Sequence, residues 1–129
     1  MPMQVELVSP EQMLFEGEAD FVVARTLGGG DIGFQPDHAP FLGALAYWPL
    51  RVITTDGVEH RFACHGGFVE VDHNRCTILS DVAEGVDQID VERARAAKER
   101  AEEALRTDPE DTAAQAALAR AETRLSITT

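Results

Sequence analysis

Apolar residues recur along this chain with two different spacings, and the change from one to the other falls near Val86. Before it, short runs alternate in period two between turn signals. Val5 and Leu7 alternate with Gln4 and Glu6, and His60, Phe62 and Cys64 alternate with Glu59, Arg61 and Ala63. Such alternation sends one set of side chains to a buried sheet face and the other outward. Asp56-Gly57, between Val52-Ile53 and Val58, is a hairpin signal, and Asp72-His73-Asn74 separates two further extended runs. Many short strands joined by tight turns predict an antiparallel sandwich or barrel.

Beyond Val86 the spacing becomes three and four. Asp90 is a sound N-cap for a helix reaching about Arg106, with Val91, Ala94, Ala97, Ala101 and Leu105 on one face. Asp108-Pro109-Glu110-Asp111 then predicts a second helix start, with Asp108 as cap, proline at the first position and acids in the first turn. Ala114, Ala117, Leu118, Ala121 and Leu125 form the matching face. The expected architecture is α+β: an N-terminal antiparallel β-sandwich over residues 1–86, followed by a C-terminal antiparallel α-helical hairpin over residues 87–129. The facing stripes are mostly alanine, and each buried methyl gains only about 0.8 kcal/mol. Ordering the backbone costs roughly 1–2 kcal/mol per residue, and isolated helices of this length are marginal in water. The hairpin is therefore expected to depend on docking, and to be able to detach without disrupting the sheet.

Composition sharpens the division. All eight aromatic residues occur by Phe68, the last glycine is Gly85, and the remainder is rich in Ala, Glu, Arg and Leu. With 129 residues the chain is long enough for a real core. The net charge of −12 argues against nucleic acid and against direct adhesion to anionic lipid, and favours a partner with a basic surface. Only four of the eleven basic residues precede Val86, so the acidity is concentrated in the sandwich. No apolar run is long enough to span a membrane, and no basic-then-apolar leader opens the chain, which predicts a soluble, cytoplasmic protein without direct membrane insertion. Two cysteines, Cys64 and Cys76, are too few for a disulfide framework and fit a reducing compartment.

The most informative stretch is Gly29-Gly30-Asp31-Ile32-Gly33-Phe34-Gln35-Pro36-Asp37-His38-Ala39-Pro40. Its glycines permit positive φ, while its prolines fix φ and remove donors, so it reads as a shaped surface edge between strands. This loop comes with Val8-Ser9-Pro10-Glu11, Leu14-Phe15-Glu16-Gly17-Glu18-Ala19-Asp20, Gly66-Gly67-Phe68-Val69-Glu70-Val71, Ile78-Leu79-Ser80-Asp81 and Ile89-Asp90-Val91-Glu92-Arg93-Ala94. In order and spacing, nearly end to end, these resemble the epsilon subunit of the F-type ATP synthase.

The resemblance implies a non-catalytic subunit of the central rotor stalk. The sandwich would lie against the gamma subunit and on the polar loops of the c-ring, helping to couple proton translocation to ATP synthesis at the cytoplasmic face of the bacterial plasma membrane. The hairpin would fold down on the sandwich or extend along gamma toward the catalytic alpha and beta subunits, where it restrains ATP hydrolysis. Asp31 occupies the acidic position facing the c-ring, and His38 matches the histidine near gamma. No cofactor is required. In ATP-binding members of the family, a regulatory ATP is held by residues that map to Ile89, Asp90, Arg93, Ala94, Arg100, Arg120 and Arg124, with Glu84 supplying an acid from the end of the sheet. The chain departs from the family at Asp37, where glycine is usual and whose presence predicts a looser turn, and at Leu50, where Pro-Gly is usual.

Plainer readings stand beside these. Asp90 and Arg93 also fit a helix cap and a surface arginine, Arg120 and Arg124 also fit ion pairs with acids of the first helix, and Asp31 also fits a solvated turn. His60, Cys64, His65, His73 and Cys76 lack a tight Cys-x-x-Cys pair, so buried reduced cysteine is the ordinary reading and no metal is expected. No Walker-type loop or nucleophile motif is present, which argues against an enzyme. The competing architecture-level reading is a free-standing sandwich that binds a ligand, with the hairpin as a dimerisation device; a small hydrolase or isomerase on the same scaffold is a third.

Overall fold

The computed structural model describes residues 1–128; Thr129, the last residue of the expected hairpin segment, lies outside the described residues. Nine strands precede a short 3₁₀ turn (Val86–Gln88) and two helices. The strands are β1 (Met3–Val8), β2 (Met13–Arg25), β3 (Asp31–Phe34), β4 (Phe41–Ala44), β5 (Tyr47–Thr54), β6 (Glu59–His65), β7 (Phe68–Asp72), β8 (Arg75–Leu79) and β9 (Ala83–Gly85). The helices are α1 (Val91–Thr107) and α2 (Thr112–Ile127).

Hydrogen bonding runs β4-β7-β8-β1-β2-β5-β6-β9, with β3 added to β2. The expected sandwich is present. It departs from a purely antiparallel arrangement at one place, where β1 pairs with β8 in parallel. The long strand β2 serves both layers: its first half pairs with β1 and its second half with β3 and β5. Met3, Val5 and Leu7 point inward from β1 as the alternation predicts, and they meet Val22, Phe34, Leu50, Val69 and Ile78 in one core.

Turn chemistry follows the local residues. Gly57 has φ 84, and the His73-Asn74 pair adopts φ 51 and 59. Gly67 is irreplaceable on steric grounds: at φ 115, an added Cβ would lie 2.1 Å from the Leu79 carbonyl oxygen. Asp37 does not loosen its turn. It takes φ 66 itself, a conformation that Asp tolerates better than most residues, and its N–H donates to Asn74 Oδ1 at 2.9 Å. Leu50 lies within β5, where it is buried in the core, so Pro49-Leu50 is strand rather than turn. Pairing of β5 with β2 ends at Arg51, so Pro49 has only β6 beside it, an edge position where a missing N–H is tolerated.

Two expectations need correction. The alternation in β6 breaks at its end, because Ala63 and His65 are buried on the face that should be solvated; α2 packs on the outer face of β5 and β6. The second helix also starts later than predicted. Asp108 closes α1, its N–H donating to the Ala104 carbonyl at 2.9 Å, and Asp111 caps α2 by accepting from the Ala114 N–H at 3.0 Å. Pro109 and Glu110 belong to the connecting turn.

The two helices pack on one another, and α2 alone lies between its partner helix and the sheet. Ala94 and Ala101 of α1 and Ala114 and Ala121 of α2 are buried, as the facing alanine stripes predict, while Ala117, Leu118 and Leu125 are half-buried. The sheet-facing side of α2 adds Thr123 and Ile127, both buried. Because that side is occupied by the chain's own sandwich, the dimerisation reading of the hairpin is not favoured.

Candidate functional site

The last strand, the 3₁₀ turn and the start of the first helix bring Glu84, Gln88, Ile89 and Asp90 around one hollow. β9 pairs in register with β6, Ala63 opposite Glu84, which aims Glu84 outward toward α2. Gln88 Oε1 then accepts the Gly85 N–H at 2.9 Å, tightening the turn. Asp90 caps α1 by accepting from the Arg93 N–H at 3.1 Å. From α1, Arg93, Ala97 and Arg100 follow at spacings of four and three, so they share a helix face.

The resulting pocket has a volume of about 310 Å³, at the small end of the roughly 300–1,000 Å³ usual for ligand sites. Glu84, Ile89, Asp90, Arg93, Ala94, Arg100 and Arg124 all line it, seven of the eight residues that the resemblance singled out. Arg120 does not line it. Gln88 and Ala97 are lining residues that sequence reasoning missed; the i, i+4, i+7 spacing Arg93-Ala97-Arg100 was the signal for Ala97.

Three guanidinium groups face two carboxylates here. Arg124 Nε donates to Glu84 Oε1 at 2.7 Å, so this arginine pairs with the sheet and not with an acid of the first helix. Asp90 is engaged as a cap. Arg93 and Arg100 make no ion pair among the described residues, and the positive end of the α1 dipole adds to their field. Burial pushes the Glu84 carboxyl up, but its hydrogen bonds from Arg124 and His65 outweigh that and hold it below the usual range. The pocket therefore presents unpaired cation forks to an anion, with an apolar wall at Ile89, Ala94 and Ala97.

Asp31 and His38 lie elsewhere, on the loop and edge strand around β3. Asp31 Oδ1 accepts from Arg25 Nε at 3.0 Å, and the Arg25 guanidinium stacks 3.6 Å over the Trp48 ring. His38 packs edge-on to Phe34 at 5.0 Å, with Nδ1 2.7 Å from the Ala39 carbonyl oxygen. The cysteines are separate from all of this. Cys64 bonds Ser80, both thiols are buried, and burial pushes them up to about 11 for Cys64 and about 12 for Cys76. Among the described residues no three His, Cys, Asp or Glu side chains are arranged to hold a metal.

The two halves of the chain match two family models: residues 2–86 match the ATP synthase delta/epsilon chain β-sandwich domain, and residues 87–128 match the ATP synthase delta/epsilon chain long α-helix domain. The chain belongs to the delta/epsilon family of ATP synthase subunits. Its relatives carry the epsilon name. An ATP synthase epsilon chain of Shouchella clausii is 42% identical over 125 residues, covering 96% of this chain and 92% of that one. Another, of Brevibacillus brevis, is 46% identical over 103 residues, covering 80% and 77%. A chain of the Euglena gracilis mitochondrial ATP synthase shares the fold with a TM-score of 0.74 at 22% identity, covering 98% of this chain and 77% of its own length. A chain from the Tetrahymena thermophila mitochondrial ATP synthase central stalk and c-ring superposes at 0.64 and 20% identity, covering 100% and 98%.

Proposed function

We propose that this chain, an epsilon-type subunit of ATP synthase, works as a non-catalytic coupling element of the rotor stalk whose hairpin restrains ATP hydrolysis and is held down by ATP. The sandwich, residues 1–86, is the docking unit. It binds gamma and rests on the polar loops of the c-ring, which keeps it at the cytoplasmic face of the membrane as a peripheral component. No described helix is long and apolar enough to cross a membrane. The outer face of β4, β7 and β8 supports the docking role: Leu42, Phe68 and Leu79 are 68%, 56% and 56% exposed there. Large apolar side chains clustered on a rigid sheet are what a protein partner covers. Asp31 and His38 are assigned to the c-ring and gamma contacts respectively.

The observation that carries the regulatory part is the position of the pocket. Its wall comes from β9, α1 and α2 together. An anion held by Arg93, Arg100 and Arg124 therefore ties α1 to α2 in the arrangement they have when α2 lies on the sheet and Arg124 pairs with Glu84, and it stabilises the docked form by its preference for that form. A triphosphate supplies the anion, and the Ile89-Ala94-Ala97 wall offers an apolar surface to a base. Arg120 contributes through the field around the site without lining it. In the undocked form the hairpin reaches along gamma toward the alpha and beta subunits.

The test is the ATPase rate of a purified catalytic head containing gamma, with and without the full chain and with the chain truncated after Asp87. The full chain is expected to slow hydrolysis, the truncated chain to bind without slowing it, and ATP to relieve the restraint. A truncated chain that still inhibits would remove the hairpin from the mechanism. For the pocket, replacing Arg93 and Arg100 by alanine is expected to weaken ATP binding by calorimetry while leaving the fold intact. Each lost hydrogen bond to a charged group removes about 1.5–3 kcal/mol, and unchanged affinity would place the nucleotide elsewhere.

A further inference from the structure

His65 is the one buried titratable side chain in the sandwich that neither the core nor the pocket accounts for. It is 3% exposed, beneath α2, at the end of β6. Its Nε2 lies 2.9 Å from Glu84 Oε1, the same oxygen that accepts from Arg124 Nε at 2.7 Å. Its other ring nitrogen, Nδ1, is buried without any hydrogen-bond partner among the described residues. A neutral imidazole that donates through Nε2 and leaves Nδ1 bare satisfies this arrangement. We propose that His65 is a positioning residue: neutral and buried, it holds the Glu84 carboxylate against Arg124, so that the hairpin is fastened to the sandwich by a three-membered latch that loosens as the pH falls.

The surroundings fix the direction. Glu84 faces the ring from β9 and favours the imidazolium. Arg120 and Arg124 face it from α2 and oppose it. The Tyr47 ring meets it edge-on from β5 at 6.0 Å, and the Asp81 carboxylate lies beside the neighbouring Gly66. Arg93 and Arg100 stand across the pocket on α1, with Asp90 at its cap. Protonation would place a second buried N–H where the described residues offer no acceptor, and a cation beside two guanidinium groups. Burial, first, and the arginine charges hold the ring below its ordinary 6.5 against the pull of Glu84. When α2 leaves, both arginines and the cover leave with it, and the ring returns toward its ordinary value. The undocked form then binds the proton that the docked form refuses. Docking is therefore at full strength above about pH 6.5 and weakens as pH falls through that value, by at most about tenfold per pH unit for a single proton. Glu84 acts in the same direction in a lower window: its contribution is present above about 4.5 and fades below it.

The inference rests on the reading that the hairpin undocks, and hydrogen exchange separates the two. In the full chain, the opening constant of α2 amides, corrected for intrinsic exchange and referred to β1 amides, is measured from pH 7.5 to 5.5. Wild type is expected to open more as pH falls, with the slope abolished in His65→Gln, which keeps a neutral donor toward Glu84, and retained in His60→Gln. Exchange of α2 and β1 through the same global unfolding at every pH would overturn the detachable hairpin. Separate opening of α2 with no pH dependence, or an unchanged slope in His65→Gln, would overturn the latch alone. Should His65→Gln fail to fold, ring-proton titration of His65 in the wild type decides. A midpoint below 6.5 that rises in Arg124→Ala supports the latch, and a midpoint at or above 6.5 overturns it.

Discussion

The sandwich and the hairpin are built on different principles. The sandwich core is filled by Leu7, Phe34, Leu50 and Ile78, side chains large enough that each contributes about 1.5–3 kcal/mol on burial. The hairpin seam is filled by Ala94, Ala101, Ala114 and Ala121, each offering one methyl. α2 gains its remaining attachment from Thr123, Ile127 and the Arg124–Glu84–His65 chain of hydrogen bonds. The difference teaches where the adjustable interface lies: a unit held by a few polar contacts and small side chains can change state at a pH or ligand concentration that leaves a large-residue core untouched.

The comparison can be broken or sharpened in order of expected effect. Phe34→Ala should lower the stability of the whole chain by about 3–5 kcal/mol, read by denaturant unfolding; a loss confined to the hairpin would contradict the assignment of the core. Arg124→Ala should leave the denaturant midpoint of the sandwich in place while exposing α2 amides to exchange, because it removes a charged hydrogen bond of about 1.5–3 kcal/mol at the docking interface. If both transitions moved together, sandwich and hairpin would be one cooperative unit. Asp90→Ala should weaken the start of α1 by about 1 kcal/mol, visible as increased exchange near Ala94 without change at β1. The smallest effect belongs to the exposed Arg51–Glu59 pair. Its double-mutant coupling should stay under about 1 kcal/mol and vanish in high salt.

Features set by local chemistry were legible in the residues. The Asp90 cap is one; the others are the Asp56-Gly57 and His73-Asn74 turns and the inward set of β1. In each, side chain and backbone a few residues apart decide the geometry. The pocket was legible only through family resemblance, because its residues come from β9, α1 and α2, whose proximity no spacing rule states.

The chain by itself thus determined the two building materials and the place where they meet, since hydrophobic period, caps and turn residues act over a few positions. Tertiary structure decided the rest. The burial of Ala63 follows from how α2 lies on β5 and β6. His65, an unremarkable strand residue in the alternation, becomes a buried neutral imidazole because α2 removes it from water and sets two arginines beside it. Burial and the charges of distant segments fix such a group, and a linear pattern carries neither.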